Sequence, residues 1–146
     1  MGTIITGGNE VKIRGAQITN RTDFSYLDAN NPINGTGNTL GNLINGNSGA
    51  NSLSGLNGND TIIAGAGNDT IDGGAGTDIA AYTGNRADYS IVTARTGTRT
   101  SIIITGKDGV DTLTGVEQLQ FADGLLAVPT VLTTGNDTYT GTASND

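Results

Sequence analysis

The sequence predicts an all-β chain wound as a parallel β-solenoid, closed at its C-terminal end by an antiparallel β cap. Three observations predict it. First, a nine-residue unit runs head to tail as GNSGANSLS (46–54), GLNGNDTII (55–63), AGAGNDTID (64–72) and GGAGTDIAA (73–81). A fixed short period is the signature of stacked repeats. Second, every copy has glycine at its fourth place, Asp or Asn at its sixth and an aliphatic residue at its eighth. This gives one series of Asn51, Asp60, Asp69 and Asp78, and another of Leu53, Ile62, Ile71 and Ala80. Third, only 34% of the 146 residues are hydrophobic and 4% aromatic, so the core must be thin, a single aliphatic row per strand.

Residues 1–33 are expected to form an N-terminal β cap. EVKIRGAQI (10–18) alternates like a strand, and RTDFSYLD (21–28) is either a strand or a loop. Residues 34–81 form the solenoid. A looser copy, GNTLGNLIN (37–45), keeps Asn42 and Ile44 in register but has Leu40 at place four. In each unit a six-residue turn uses glycine for the positive φ angles of a tight reversal. The next three residues form a short strand whose middle side chain faces inward. Turn, strand, turn, strand makes one coil of 18 residues, so Asp60 lies beside Asp78 on one edge and Asn51 beside Asp69 on the other.

Residues 82–128 read as C-terminal capping strands. Tyr89–Ala94 and Thr100–Thr105 predict a hairpin across TGTR, and Val116–Phe121 a further strand. Tyr82, Tyr89, Ile103, Leu119 and Phe121 are expected to cover the open end, as terminal repeats must. GKDGVDTLT (106–114) fits the nine-residue register with Asp111 at place six, but has no partner 18 residues away and is read as a turn. Residues 129–146 are read as a linker and the start of a further repeat, with Asp137 and Asp146 nine apart.

A Gly/Asn/Ser/Thr-rich stretch can be a flexible linker, but a linker has no reason to space Leu53, Ile62 and Ile71 by nine. A metal-free solenoid held by Asn ladders is the other alternative. It does not require the acids at Asp60, Asp69 and Asp78.

The unit matches G-G-x-G-x-D-x-U-x, and the chain accordingly resembles the RTX (repeats-in-toxin) family of exported bacterial proteins. The flank INGTGNTLGNLINGNSGANSL (33–53) and the tail GVDTLTGVEQLQFADG (109–124) resemble the segments that border such arrays. The resemblance implies a calcium-bound parallel β-roll, with places two, four and six of one turn and places one, three and six of the turn 18 later as ligands. Carried onto this sequence, it gives Leu56, Gly58 and Asp60 with Gly73, Ala75 and Asp78. The other edge would use Asn47, Gly49 and Asn51 with Ala64, Ala66 and Asp69, and is expected to bind more weakly because Asn51 replaces an acid. A third combination joins Asn42 and Asp60 through the carbonyls of Gly55 and Asn57, with Leu40 against it.

The distances agree with calcium. Stacked strands lie about 4.8 Å apart, where two bare carboxylates repel. Calcium–oxygen bonds of roughly 2.3–2.6 Å span about 4.6–5.2 Å across an oxygen–calcium–oxygen bridge. Its six to eight oxygens exceed what two side chains supply, so turn carbonyls must add the rest. At dissociation constants near the ~10⁻⁴–10⁻³ M of extracellular calcium modules, ten-fold excess adds about 1.4 kcal/mol per site. Residues 37–81 are therefore expected to be largely disordered without calcium and to fold on binding it.

The chain carries 14 acidic residues against 7 basic ones, and residues 34–81 contain neither Lys nor Arg. No basic stripe exists for nucleic acid or an anionic membrane surface, and no apolar run is long enough to span a bilayer. With no His and no Cys, the common catalytic triads and zinc sites are absent, and the chain is read as no enzyme. Without disulfides, calcium is expected to take the stapling role. The N-terminus MGTIITGGNE is not a signal peptide. The resemblance implies export through a type I system of a Gram-negative cell, and an end in mid-repeat reads as a piece of a larger chain. It also allows an accessory, polysaccharide-binding part of a secreted enzyme such as a protease or alginate epimerase, or a spacer in an adhesin or surface-layer protein.

Overall fold

The computed structural model describes residues 3–7, 10–14, 21–23, 34–96, 99–128 and 137–139, with backbone alone for the first three segments and the last. Its strands are β1 (Thr3–Gly7), β2 (Glu10–Arg14), β3 (Arg21–Asp23), β4 (Asn34–Thr36), β5 (Leu43–Asn45), β6 (Ser52–Ser54), β7 (Thr61–Ile63), β8 (Thr70–Asp72) and β9 (Ile79–Ala81). They are followed by β10 (Ser90–Thr96), β11 (Arg99–Gly106), β12 (Gly109–Thr114), β13 (Gln118–Phe121), β14 (Gly124–Ala127) and β15 (Asp137–Tyr139). Among the described residues no helix is long and apolar enough to cross a membrane.

Successive strands of the array alternate between two sheets. One runs β1-β2-β4-β6-β8-β12-β11-β10-β15, the other β14-β13-β9-β7-β5-β3. Pairing within the array is parallel, and Leu53 lies opposite Ile71 in the first sheet, Ile44 opposite Ile62 in the second. Each array strand buries only its middle residue, because side chains alternate across a strand and the outer two face away. Ile44, Leu53, Ile62, Ile71 and Ala80 are all at most 1% exposed and belong to one cluster, so the aliphatic series of the repeat is the core.

The roll continues past residue 81. Hairpin β10–β11 leaves the array, and β12 then returns to stack parallel on β8, with Leu113 opposite Ile71. Strand β13 stacks likewise on β9, Leu119 opposite Ala80. Both leucines are fully buried. The segment expected to be a cap is thus part coil, part antiparallel cover: β11 pairs antiparallel with β12, and β14 with β13. At the N-terminal end β2 and β3 add parallel strands to β4 and β5.

Tyr82, Tyr89 and Phe121 pack together with ring centroids 5.2–5.8 Å apart, and with Leu119 they close the core as expected. Ile103 does not: it is 39% exposed, while Ile102 and Ile104 are buried. The strand was placed correctly but its inward phase was not, since a run of three isoleucines carries no alternation to read.

Candidate metal site

The turns between the sheets form two edges. Turns 37–42, 55–60 and 73–78 stack on one, turns 46–51, 64–69 and 106–111 on the other. On the first edge Asn42 donates its backbone N–H to Asp60 Oδ1 (2.7 Å), and Asp60 donates its own to Asp78 Oδ1 (2.8 Å). Asp78 in turn donates to Glu117 Oε2 (2.8 Å). On the second edge Asn51 donates to Asp69 Oδ1 (2.7 Å) and Asp69 to Asp111 Oδ1 (2.9 Å). Each acid thus caps the place-six residue of the preceding coil with one oxygen.

The other oxygen is left over. Oδ2 of Asp60, Asp69 and Asp78 is buried and makes no hydrogen bond. A buried unpaired acceptor is costly, and an ionised one more so. Burial pushes the carboxyl pKa of Asp60 and Asp78 up, partly offset by the backbone N–H each accepts from Asn42 and Asp60 respectively. Burial also pushes Asp69 up to about 7, against the lowering effect of the Asn51 N–H and with a further raise from Asp111.

The turns aim carbonyls at the same edges. A Cβ at Gly55 would collide with both Asp60 Oδ2 and the Gly73 carbonyl, so these two oxygens share the space that glycine leaves open. On the second edge a Cβ at Gly46 would meet Asn51 Oδ1 and the Ala64 carbonyl. Ala75 donates its N–H to the Leu56 carbonyl (2.8 Å), and the Ala75 carbonyl accepts from Gly58 (3.0 Å). Each of those carbonyls retains a second lone pair. Places two and four take positive φ at Leu56 (80°) and Gly58 (114°), Gly65 (102°) and Gly67 (121°), and Gly74 (104°) and Gly76 (152°).

Turns 37–42 and 46–51 differ. Neither takes positive φ at place two or four, and each is closed by an exchange between two asparagines. Asn51 Nδ2 donates to Asn47 Oδ1 (2.8 Å) while Asn47 N–H donates to Asn51 Oδ1 (2.9 Å). Asn42 and Asn38 make the same exchange. The first expected ligand set, Leu56, Gly58 and Asp60 with Gly73, Ala75 and Asp78, is therefore brought together with acid oxygens open. The second, Asn47, Gly49 and Asn51 with Ala64, Ala66 and Asp69, shares one edge, but its Asn51 amide is tied to Asn47 and supplies no charge.

Among the described residues no group of three or more Asp, Glu, His or Cys side chains is placed to hold a metal ion by itself. The acids come as stacked pairs, so a cation here depends on carbonyls, the donor set that suits a hard ion such as calcium. The donors fit that ion: two buried carboxylate oxygens without partners, beside turn carbonyls that glycine allows to approach.

Asp111, which the sequence puts at place six of a turn, and Glu117, which it does not single out, both belong to this ladder. Asp111 caps Asp69 across 42 residues, not 18, because hairpin β10–β11 is inserted between their coils. Asp111 has no partner 18 residues away, as read from the sequence, but it does have a stacked partner 42 residues away. A signal was present: each acid stands two residues before an inward aliphatic, as Asp60 before Ile62, Asp111 before Leu113 and Glu117 before Leu119.

Compared with known families, the chain matches the RTX calcium-binding nonapeptide repeat (4 copies) over residues 44–80 and 132–146. The second stretch contains the restart TGNDTYTGTASND. No curated protein is a significant match.

Proposed function

That the chain carries RTX calcium-binding nonapeptide repeats is the premise from which we propose its role: a module that folds on calcium outside the cell and stabilises a larger secreted protein. The repeats bind calcium and build a β-roll; they are a structural rather than a catalytic device. The strongest ion is assigned to Asp60 and Asp78 with carbonyls of Leu56, Gly58, Gly73 and Ala75, and a weaker one to Asn51 and Asp69 with Asn47, Gly49, Ala64 and Ala66.

One observation carries this reading: the buried, unpartnered Oδ2 atoms of Asp60 and Asp78 in stacked turns. Calcium would neutralise these charges and tie adjacent coils together. Metal-poor conditions inside a cell then leave the chain loose, and millimolar calcium outside completes it, which suits a protein exported before it folds. Isothermal titration with calcium on the parent, Asp60→Ala and Asp69→Ala tests the assignment. Each substitution should remove binding on one edge; unchanged stoichiometry in both would refute it.

A further inference from the structure

Turn 106–111 repeats several contacts of turn 73–78 with turn 55–60, although it lies outside the residues the family matches. Asp69 donates its N–H to Asp111 Oδ1 (2.9 Å) as Asp60 does to Asp78 (2.8 Å). Gly67 donates to the Asp108 carbonyl (2.7 Å) as Gly58 does to that of Ala75 (3.0 Å). Val110 donates to Asn68 Oδ1 (2.9 Å) as Thr77 does to Asn59 Oδ1 (2.9 Å). A Cβ at Gly109 would strike the Gly67 carbonyl as one at Gly76 would strike that of Gly58. Places four and six, glycine and the acid, are the same in both pairs of turns, whereas Ala64, Gly65 and Ala66 replace Gly55, Leu56 and Asn57, and Lys107, Asp108 and Val110 replace Gly74, Ala75 and Thr77.

One buried carboxylate oxygen there lacks a partner. Asp69 and Asp111 are each 2% exposed, and Asp69 Oδ2 makes no hydrogen bond. The buried Tyr82 hydroxyl lies against the Asp111 carboxylate. The nearest cation of this turn, Lys107, is engaged with the Asp108 carboxylate (3.0 Å) and the Thr83 hydroxyl (2.9 Å). The Asp108 carboxylate also accepts from Tyr89, which leaves its carbonyl as the group facing turn 64–69.

We infer that Asp69 and Asp111, with the carbonyls of Gly67 and Asp108, form a further calcium site that joins the repeat array to the strands beyond the inserted hairpin. The inference rests on the calcium-roll reading above but uses a residue pair that the repeat period does not contain. Its consequence is structural: one ion clamps coil and cap together across a sequence gap of 42 residues. Hairpin β10–β11 and strand β12 then order with the array rather than independently.

Asp111→Asn in the full chain tests it, because the amide keeps an acceptor for the Asp69 N–H while losing the charge. Calorimetric titration should show one calcium equivalent fewer than the parent, with Asp78→Asn as the parallel loss on the other edge. Parent stoichiometry in Asp111→Asn together with a loss in Asp78→Asn overturns this site and spares the roll. No loss in either overturns both readings. Terbium supplies a readout that does not depend on how Asp111→Asn folds. Tyrosine-sensitised emission should fall in Tyr82→Phe, since Tyr82 adjoins the ion, and undiminished emission there overturns the placement.

Discussion

Asp60 donates its backbone N–H to Asp78 Oδ1 over 2.8 Å, across a separation of 18 residues. The carboxylate therefore has two tasks on its two oxygens. Oδ1 satisfies a buried backbone donor in the neighbouring coil, and Oδ2 remains open. Without a cation the same contact that aligns the coils also stacks buried negative charges.

Two substitutions at Asp78 separate those tasks. Asp78→Ala removes the acceptor and leaves the Asp60 N–H unpaired, at a cost of about 1–3 kcal/mol. Asp78→Asn keeps the acceptor and removes the repulsion, a gain on the order of 1 kcal/mol for like charges a few ångströms apart. In chelator, Asp78→Asn should hold more β structure than the parent; in calcium, both variants should bind more weakly. Circular dichroism in each condition checks this, and a calcium affinity equal to the parent's in Asp78→Asn would count against the metal role.

The carboxyl of Asp69 gives a pH dependence of definite sign. Burial raises its pKa in the folded, metal-free state to about 7 from 3.8. The folded form then holds a proton that the unfolded chain releases, so this contribution is fullest below about pH 4 and is lost as pH rises through 7. In chelator the β signal should be larger at pH 5 than at pH 8. In calcium the order should reverse, because protons compete with the ion. A chelated chain with more β structure at pH 8 would contradict the assignment.

Leu56 occupies the left-handed region at φ 80°, where the equivalent residues Gly65 and Gly74 are glycine. That conformation costs a side-chain-bearing residue roughly 1–2 kcal/mol. Leu56 is 42% exposed, so little burial is lost on replacing it. Leu56→Gly should stabilise the calcium-loaded protein by about 0.5–1 kcal/mol after glycine's entropy cost. A thermal melt in saturating calcium measures it, and a lowered Tm would show that the leucine has a packing role.

Asn51 closes its own turn by exchanging hydrogen bonds with Asn47. Asn51→Asp removes the donated bond and sets a charge beside Asp69. The variant should be less ordered than the parent in chelator, yet bind calcium on this edge about ten-fold more tightly, a gain of about 1.4 kcal/mol. Calorimetry in parallel with circular dichroism tests both halves. Unaltered calcium binding would mean that turn 46–51 cannot reach an ion at all.

The core and the first acid pair were legible in the sequence because both obey a period. Ile44, Leu53, Ile62, Ile71 and Ala80 are buried at ninefold spacing, and Asp60 meets Asp78 at twofold that spacing. Asp111 was not legible by period, because the inserted hairpin lengthens the sequence between stacked coils without altering the stack. The local unit survives the insertion, since strand geometry still requires an inward aliphatic two residues after the acid that caps the coil. Glu117 escapes the period too, its longer side chain reaching Asp78 from a shorter connection between β12 and β13. The asparagine-closed turns were hidden for a different reason. Spacing places Asn47 and Asn51 in one loop but does not say that their amides satisfy each other.

Calcium as the condition for the roll is tested most directly by far-UV circular dichroism of the full chain, titrated from chelator into millimolar calcium. The β signal should be weak in chelator and grow saturably with calcium, with a smaller rise in Asp60→Ala. A full β signal in chelator, unchanged by calcium, would contradict it.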